Sequence, residues 1–171
     1  LRGLFADDFA LNFAASLAFE QSYGGIDGDS ATVAGVCALL SALAQVPISQ
    51  NLAVTGSMNQ FGQVQAVGGV NAKIAGFYDA CLEQNAKRGA GDNPDPSLQG
   101  VIIPKANLSQ LMLRQDIVEA VAAGRFVIYA VEHVNEALAL LTGFSVASKT
   151  KKGTYRKHTL YGRIHARLAA W

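Results

Sequence analysis

Ser30 lies in the run Gly28-Asp29-Ser30-Ala31, just after a loop-forming stretch and just before an apolar helical pattern. Serine is a favoured helix N-cap, so capping is the ordinary reading of this residue taken alone. The same position has a second use. Unpaired amides and the positive end of a helix dipole are where an oxyanion would be stabilised during acyl transfer. A hydroxyl is a poor nucleophile until a base takes its proton. The histidines are badly placed to do so: His133 precedes a helical pattern, where capping is the usual role, and His158 and His165 lie in a basic tail. Lys73 is better placed, at the edge of the stripe formed by Val70, Ile74, Phe77 and Cys81 on a helix advancing ~100° per residue. Its stem is drawn toward the core, and removing water from an ammonium disfavours the charged form, the condition for a lysine to act as a base. A lone lysine at such an edge more often keeps its head in water.

Each of these residues needs an element to hold it. Residues 9–22 alternate, with Phe9, Leu11, Phe13, Ala15, Leu17 and Phe19 on one parity, which predicts a strand. The glycine- and aspartate-rich residues 23–29 predict a loop. Val33, Val36, Cys37, Leu40, Leu43 and Ala44 recur at steps of three and four, predicting a helix over 30–46 that Pro47 stops. Residues 51–67 read as two strands, Leu52 and Val54 facing Val64 and Ala66 across a hairpin turn at 58–62. Gly68 and Gly69 precede the lysine helix, which runs from Val70 to about Gln84. Residues 85–99 offer little to bury and predict a surface excursion. Apolar runs at 101–103 and 126–131 predict strands covered on both faces. Helices are expected at 108–123, closed by Gly124, and at 134–141, closed by Gly143. Such alternation defines an α/β domain.

A chain of 171 residues with 50% apolar content can build one core, which excludes global disorder or a fibre. Charged residues at 16% are few for a free-standing domain and point toward assembly. The chain opens on Leu1 without a cleavable leader, and no run approaches the ~18 apolar residues of a membrane span; it reads as an excised piece of a soluble protein. Cys37 and Cys81 sit in apolar helical patterns and are expected to be buried, reduced thiols, which fits a cytoplasmic setting. Residues 1–143 carry 7 Lys or Arg against 13 Asp or Glu, whereas residues 144–171 carry 7 basic and no acidic side chains. Gly143 is therefore the expected end of the compact domain. Residues 144–171 would form a basic extension, either a linker and terminal helix with Leu160, Tyr161, Ile164 and Leu168 at helical spacing, most simply packed on its own domain, or a docking element.

Three stretches carry a resemblance to a known family. FEQSYGGIDGDSATVAGVCALLSAL, PISQNLAVTGSMNQFGQVQAVGGVNAKI and GVIIPKANLSQL together resemble the proteolytic domain of Lon proteases over about residues 9–143. The resemblance implies Ser30, in a G-x-S-A segment, as nucleophile and Lys73, in a G-G-x-x-x-K segment, as its base. Their separation of 43 positions is the family's customary spacing. Thr55 matches the threonine that orients the catalytic amine, Gly68 and Gly69 match a turn letting the two helices approach, and Asp29 marks the G-D-S branch and would tune Lys73 by its charge. The resemblance further implies the α/β fold of ribosomal protein S5 domain 2, a hexameric ring and unfolded polypeptide substrates. No cofactor is expected in this domain. No phosphate-binding G-x-x-x-x-G-K-[ST] loop occurs in the chain, so ATP and Mg are expected in an AAA+ ATPase module outside it.

Two other readings compete. A non-catalytic, ring-forming Lon-like module that binds DNA or protein would use the basic tail for phosphate contacts, but would have no need of Ser30, Thr55 and Lys73 together. A small-molecule acylase could use the same dyad on short amides.

Overall fold

The computed structural model describes residues 2–5, 11, 13–18, 28–88, 98–146, 149–151 and 153–171. Its centre is a strand, β4 (Gly100–Pro104), buried at every position, because helices cover both of its faces, as expected for parallel strands. It pairs in parallel with β1 (Leu52–Val54) on one side and β5 (Val127–Val131) on the other, giving the order β1-β4-β5. Alternation along β4 divides the core. Ile102 packs with Val33, Cys37, Leu40, Leu138 and Ile164, while Val101 and Ile103 pack with Val70, Ile74, Ile117 and Phe126 on the opposite face.

The first of these layers contains α2 (Thr32–Ala44), α5 (Val134–Thr142) and α6 (Leu160–Leu168). Phe5 of α1 (Arg2–Phe5) closes one end of it, with its ring edge-on to Tyr161 at 5.5 Å. The second layer contains α3 (Val70–Arg88) and α4 (Gln115–Ala122). α2 ends three residues before Pro47, with Gln45 in the left-handed conformation. α5 is closed by Gly143 at φ 70° and capped by His133, whose ring accepts from the Asn135 amide. Among the described residues, no helix is long and apolar enough to cross a membrane.

Several expectations from sequence need correction. β1 does not form a hairpin with residues 64–66: it joins the parallel sheet, and the hairpin is instead β2 (Ser57–Met58) with β3 (Val64–Gln65). Leu52 and Val54 are partly buried against the first of the helical layers. α3 extends to Arg88, into the predicted excursion, of which residues 89–97 lie outside the described residues. The helix expected over 108–123 is broken into a 3-10 segment (Lys105–Gln110), an extended link and α4. Of the predicted strand over 9–22, the described residues 11 and 13–18 have no regular structure; the rest, with loop residues 23–27, lies outside the described residues. Leu160, Tyr161, Ile164 and Leu168 of α6 belong to the first layer.

The break at 105–114 has a physical cause that bears on the site. Asn107, fully buried, accepts from the Val67 amide at 3.1 Å and donates to the Val67 carbonyl at 3.0 Å. A side chain committed in this way holds its segment in a tight turn and leaves it no freedom to continue as an α-helix. Asn71 and Arg114 add to the clamp: Asn71 bonds Gln110 and Met112, and Arg114 pairs with Asp79 of α3 and with Asp116. The Arg114 guanidinium holds both carboxyls below the usual range. The start of the lysine helix is thereby fixed. Asn107→Ala should leave two buried backbone groups unpaired, costing about 2–4 kcal/mol, a fall of roughly 5–15 °C in the thermal midpoint for a domain this size. Calorimetry of the variant against the parent checks it.

Candidate active site

The site forms at the carboxyl end of β1. Because β1 is an edge strand, α2 on one face and α3 on the other reach around its end. Open parallel sheets commonly bind ligands outside the carboxyl ends of their strands. Here the chain leaves β1 through Thr55-Gly56-Ser57, which serves as a template for the turn bearing Ser30. Thr55 Oγ1 donates to the Ser30 carbonyl at 3.2 Å, the Gly56 amide donates to the same carbonyl at 2.9 Å, and the Val33 amide donates to the Gly56 carbonyl at 3.1 Å. Gly56 suits this fit, since a Cβ there would stand 3.0 Å from the side chains of both Val33 and Val64, which would have to give way by a few tenths of an ångström.

Lys73 enters from the other layer. Its Nζ donates to Thr55 Oγ1 at 3.3 Å. A hydroxyl has one proton, and Thr55 gives its own to the Ser30 carbonyl, so toward the amine it acts as acceptor. Three residues remote in sequence are thus joined in one chain, Lys73 to Thr55 to Ser30. Among the described residues, no hydrogen bond links the Ser30 hydroxyl itself to the amine. A cavity of about 240 Å³ lies at this junction, walled by Ala31, Ala34, Ala53, Val54 and Ile74 beside Ser30 and Lys73. A second groove of about 400 Å³ flanks the other side of the turn, between residues 15–17 and Gly35, Val36 and Leu39 of α2.

Ser30 does not cap the helix. α2 starts at Thr32, with Ala31 at the capping position and no side-chain cap, and Ser30 is half-buried in the turn before it. The Thr32 amide is bonded to Asp29 and the Val33 amide to Gly56. Among the described residues, the Ser30 and Ala31 amides make no such bond.

Three details depart from the sequence reading. Lys73 is exposed in this chain rather than drawn into the core, because Val70 and Ile74 take the buried positions of the stripe. Gly69 makes the turn before α3 with φ 67°, but Gly68 has an ordinary conformation, and neither is crowded within 4 Å, so close helix approach is not what glycine provides. Asp29 makes no ion pair with Lys73 among the described residues; its carboxylate accepts from Ser57 Oγ at 2.5 Å. Asn107 and Ser57 were not singled out from sequence, where a buried Asn or Ser looks like any loop residue.

Other nucleophiles and ligand sets are poor. Burial pushes the Cys37 thiol up to about 12 and raises that of Cys81, so neither is a thiolate near neutrality. His133 is committed at both nitrogens, to the Asn135 amide and the Phe61 carbonyl. Among the described residues, no group of His, Cys, Asp and Glu side chains is arranged to hold a metal.

Thr55→Val tests the threonine's part. The variant keeps shape and loses the acceptor for the amine, and misplacing a base by about 1 Å can cost about 100-fold. A 10- to 100-fold fall in kcat with KM little changed is the expected steady-state result.

Comparison with known proteins gives this geometry a family. The family model for the Lon protease (S16) C-terminal proteolytic domain matches residues 24–142. A Lon protease homolog of Escherichia coli is 52% identical over 129 residues, 75% of this chain and 20% of its own length. A second, of Haemophilus influenzae, is 46% identical over 158 residues, 92% of this chain and 25% of its own length. An archaeal Lon protease of Thermococcus kodakarensis is 35% identical over 122 residues, 71% of this chain and 16% of its own. The chain belongs to the Lon protease C-terminal proteolytic domain family, a family of peptidases. It spans about a fifth to a quarter of the length of the bacterial relatives.

Proposed function

We propose that this domain hydrolyses peptide bonds with Ser30 as nucleophile, Lys73 as general base and Thr55 as the group that orients the amine. The observation that carries the proposal is the path Lys73 Nζ to Thr55 Oγ1 to the Ser30 carbonyl, which gathers the three residues at one cavity. A polypeptide lying in that cavity would cover the exposed amine and take its water away, favouring the neutral form. Lys73 then accepts the proton of Ser30 as the hydroxyl oxygen attacks the scissile carbonyl, and the Ser30 and Ala31 amides face the oxyanion. The proton passes to the departing amine nitrogen. Water, activated by the same lysine, releases the acyl group and restores the serine.

In the whole protein this domain would act with an AAA+ ATPase module that binds ATP and Mg, as one subunit of a hexameric cytoplasmic ring that degrades unfolded or damaged proteins. Its fold would be that of ribosomal protein S5 domain 2. The test is hydrolysis of an unfolded polypeptide by the intact protein: turnover that disappears in Ser30→Ala supports the proposal. Salt-sensitive DNA binding without any turnover would favour the non-catalytic module instead.

A further inference from the structure

Three polar side chains are buried among the described residues: Ser57, Asn107 and Thr159. Two have structural duties, Asn107 bracing Val67 and Thr159 capping α6. Ser57 is different. Its hydroxyl, 5% exposed as a residue, donates to Asp29 Oδ2 at 2.5 Å, and Asp29 immediately precedes the proposed nucleophile. Gln65 Oε1 lies at 3.5 Å from the same hydroxyl, but a hydroxyl has one proton and the nearer carboxylate takes it.

That carboxylate is a negative charge adjoining the turn that bears Ser30, and a lysine that must release its proton is hindered by a carboxylate close to it, because an opposite charge favours the ammonium. Its backbone is fixed as well: the Asp29 carbonyl accepts from the Thr32 amide at 3.0 Å and from Thr32 Oγ1 at 2.6 Å. With the main chain held, the direction of the Asp29 side chain is what Ser57 decides. We propose that Ser57 is a positioning residue, whose buried hydroxyl tethers the Asp29 carboxylate to β2 and so keeps it from pairing with the Lys73 amine. The inference rests on the Ser30 and Lys73 reading above.

A double-mutant cycle in the intact protein tests it, with kcat and KM for an unfolded polypeptide as the readout. In the parent background, Ser57→Ala should lower kcat by about tenfold or more with KM within about threefold, because a mispaired base slows chemistry rather than binding. In the Asp29→Asn background, where residue 29 has no carboxylate to pair with the lysine, the same substitution should cost less than about twofold. Full kcat in Ser57→Ala, or a loss of equal size in both backgrounds, would overturn the proposal. If Ser57→Ala does not fold, the similarly shaped pair Ser57→Thr and Ser57→Val decides the matter: the hydroxyl-bearing variant should keep kcat and the other should lose it, and equal values would sink the tether. Failure of the dyad reading would be seen separately, as turnover surviving in Ser30→Ala.

Discussion

Ser30→Ala is expected to lower kcat for peptide hydrolysis by at least about 10⁴-fold, the scale on which removal of a covalent nucleophile acts, while leaving stability within about 0.5 kcal/mol. The second half of that expectation separates the two uses of a serine at this position. A true N-cap replaced by alanine costs about 1 kcal/mol. Here the capping position is Ala31, and the contacts that hold the turn run to the Ser30 carbonyl, which alanine retains. A large loss of stability with partial activity would mean that Ser30 is a structural residue. Kinetics on an unfolded substrate together with denaturant titration of the same preparation distinguish the outcomes.

Lys73→Met should be nearly as damaging, by about 10²- to 10⁴-fold in kcat, the usual contribution of a positioned general base. Methionine keeps the apolar stem against the stripe of α3 and removes the amine. Since Lys73 is exposed, folding should be unaffected. Lys73→Arg sharpens the result: a guanidinium stays protonated and cannot take the proton of Ser30, so it should be as inactive as the methionine variant. Activity retained in the arginine variant would show that position 73 supplies positive charge rather than a base. Combined with Ser30→Ala, neither change should lower the residual rate much further, since the two residues act as one unit.

Much of this was legible in the sequence for identifiable reasons. The period of Val33, Cys37, Leu40 and Leu43 located α2, and the apolar runs around Val101 and Ile128 located β4 and β5, because burial on one or both faces leaves a direct imprint on residue choice. What was hidden depended on partners distant in the chain. That Leu52–Val54 joins β4 rather than its neighbour in sequence is decided by the helical layers covering the sheet, which no local window contains. The break at residues 105–114 comes from one side chain, Asn107, bonded to a backbone 40 residues away. At the site, Ser30 and Lys73 could be paired only through their surroundings, since a serine before a helix and a lysine beside a stripe are commonplace. The exposure of Lys73 was misjudged because its place at the stripe's edge is compatible with either side of the surface. Asn107 and Ser57 could have been found only by asking which polar residues in apolar surroundings would need partners.

The most direct test of the central claim is covalent capture of the nucleophile. The intact protein is treated with a serine-directed fluorophosphonate, which loses fluoride to a serine oxygen, and the modified peptide is then located by mass spectrometry. One adduct on Ser30, forming much more slowly in Lys73→Met and absent from Ser30→Ala, is the predicted result. An adduct at another residue with full peptide hydrolysis surviving in Ser30→Ala would contradict it.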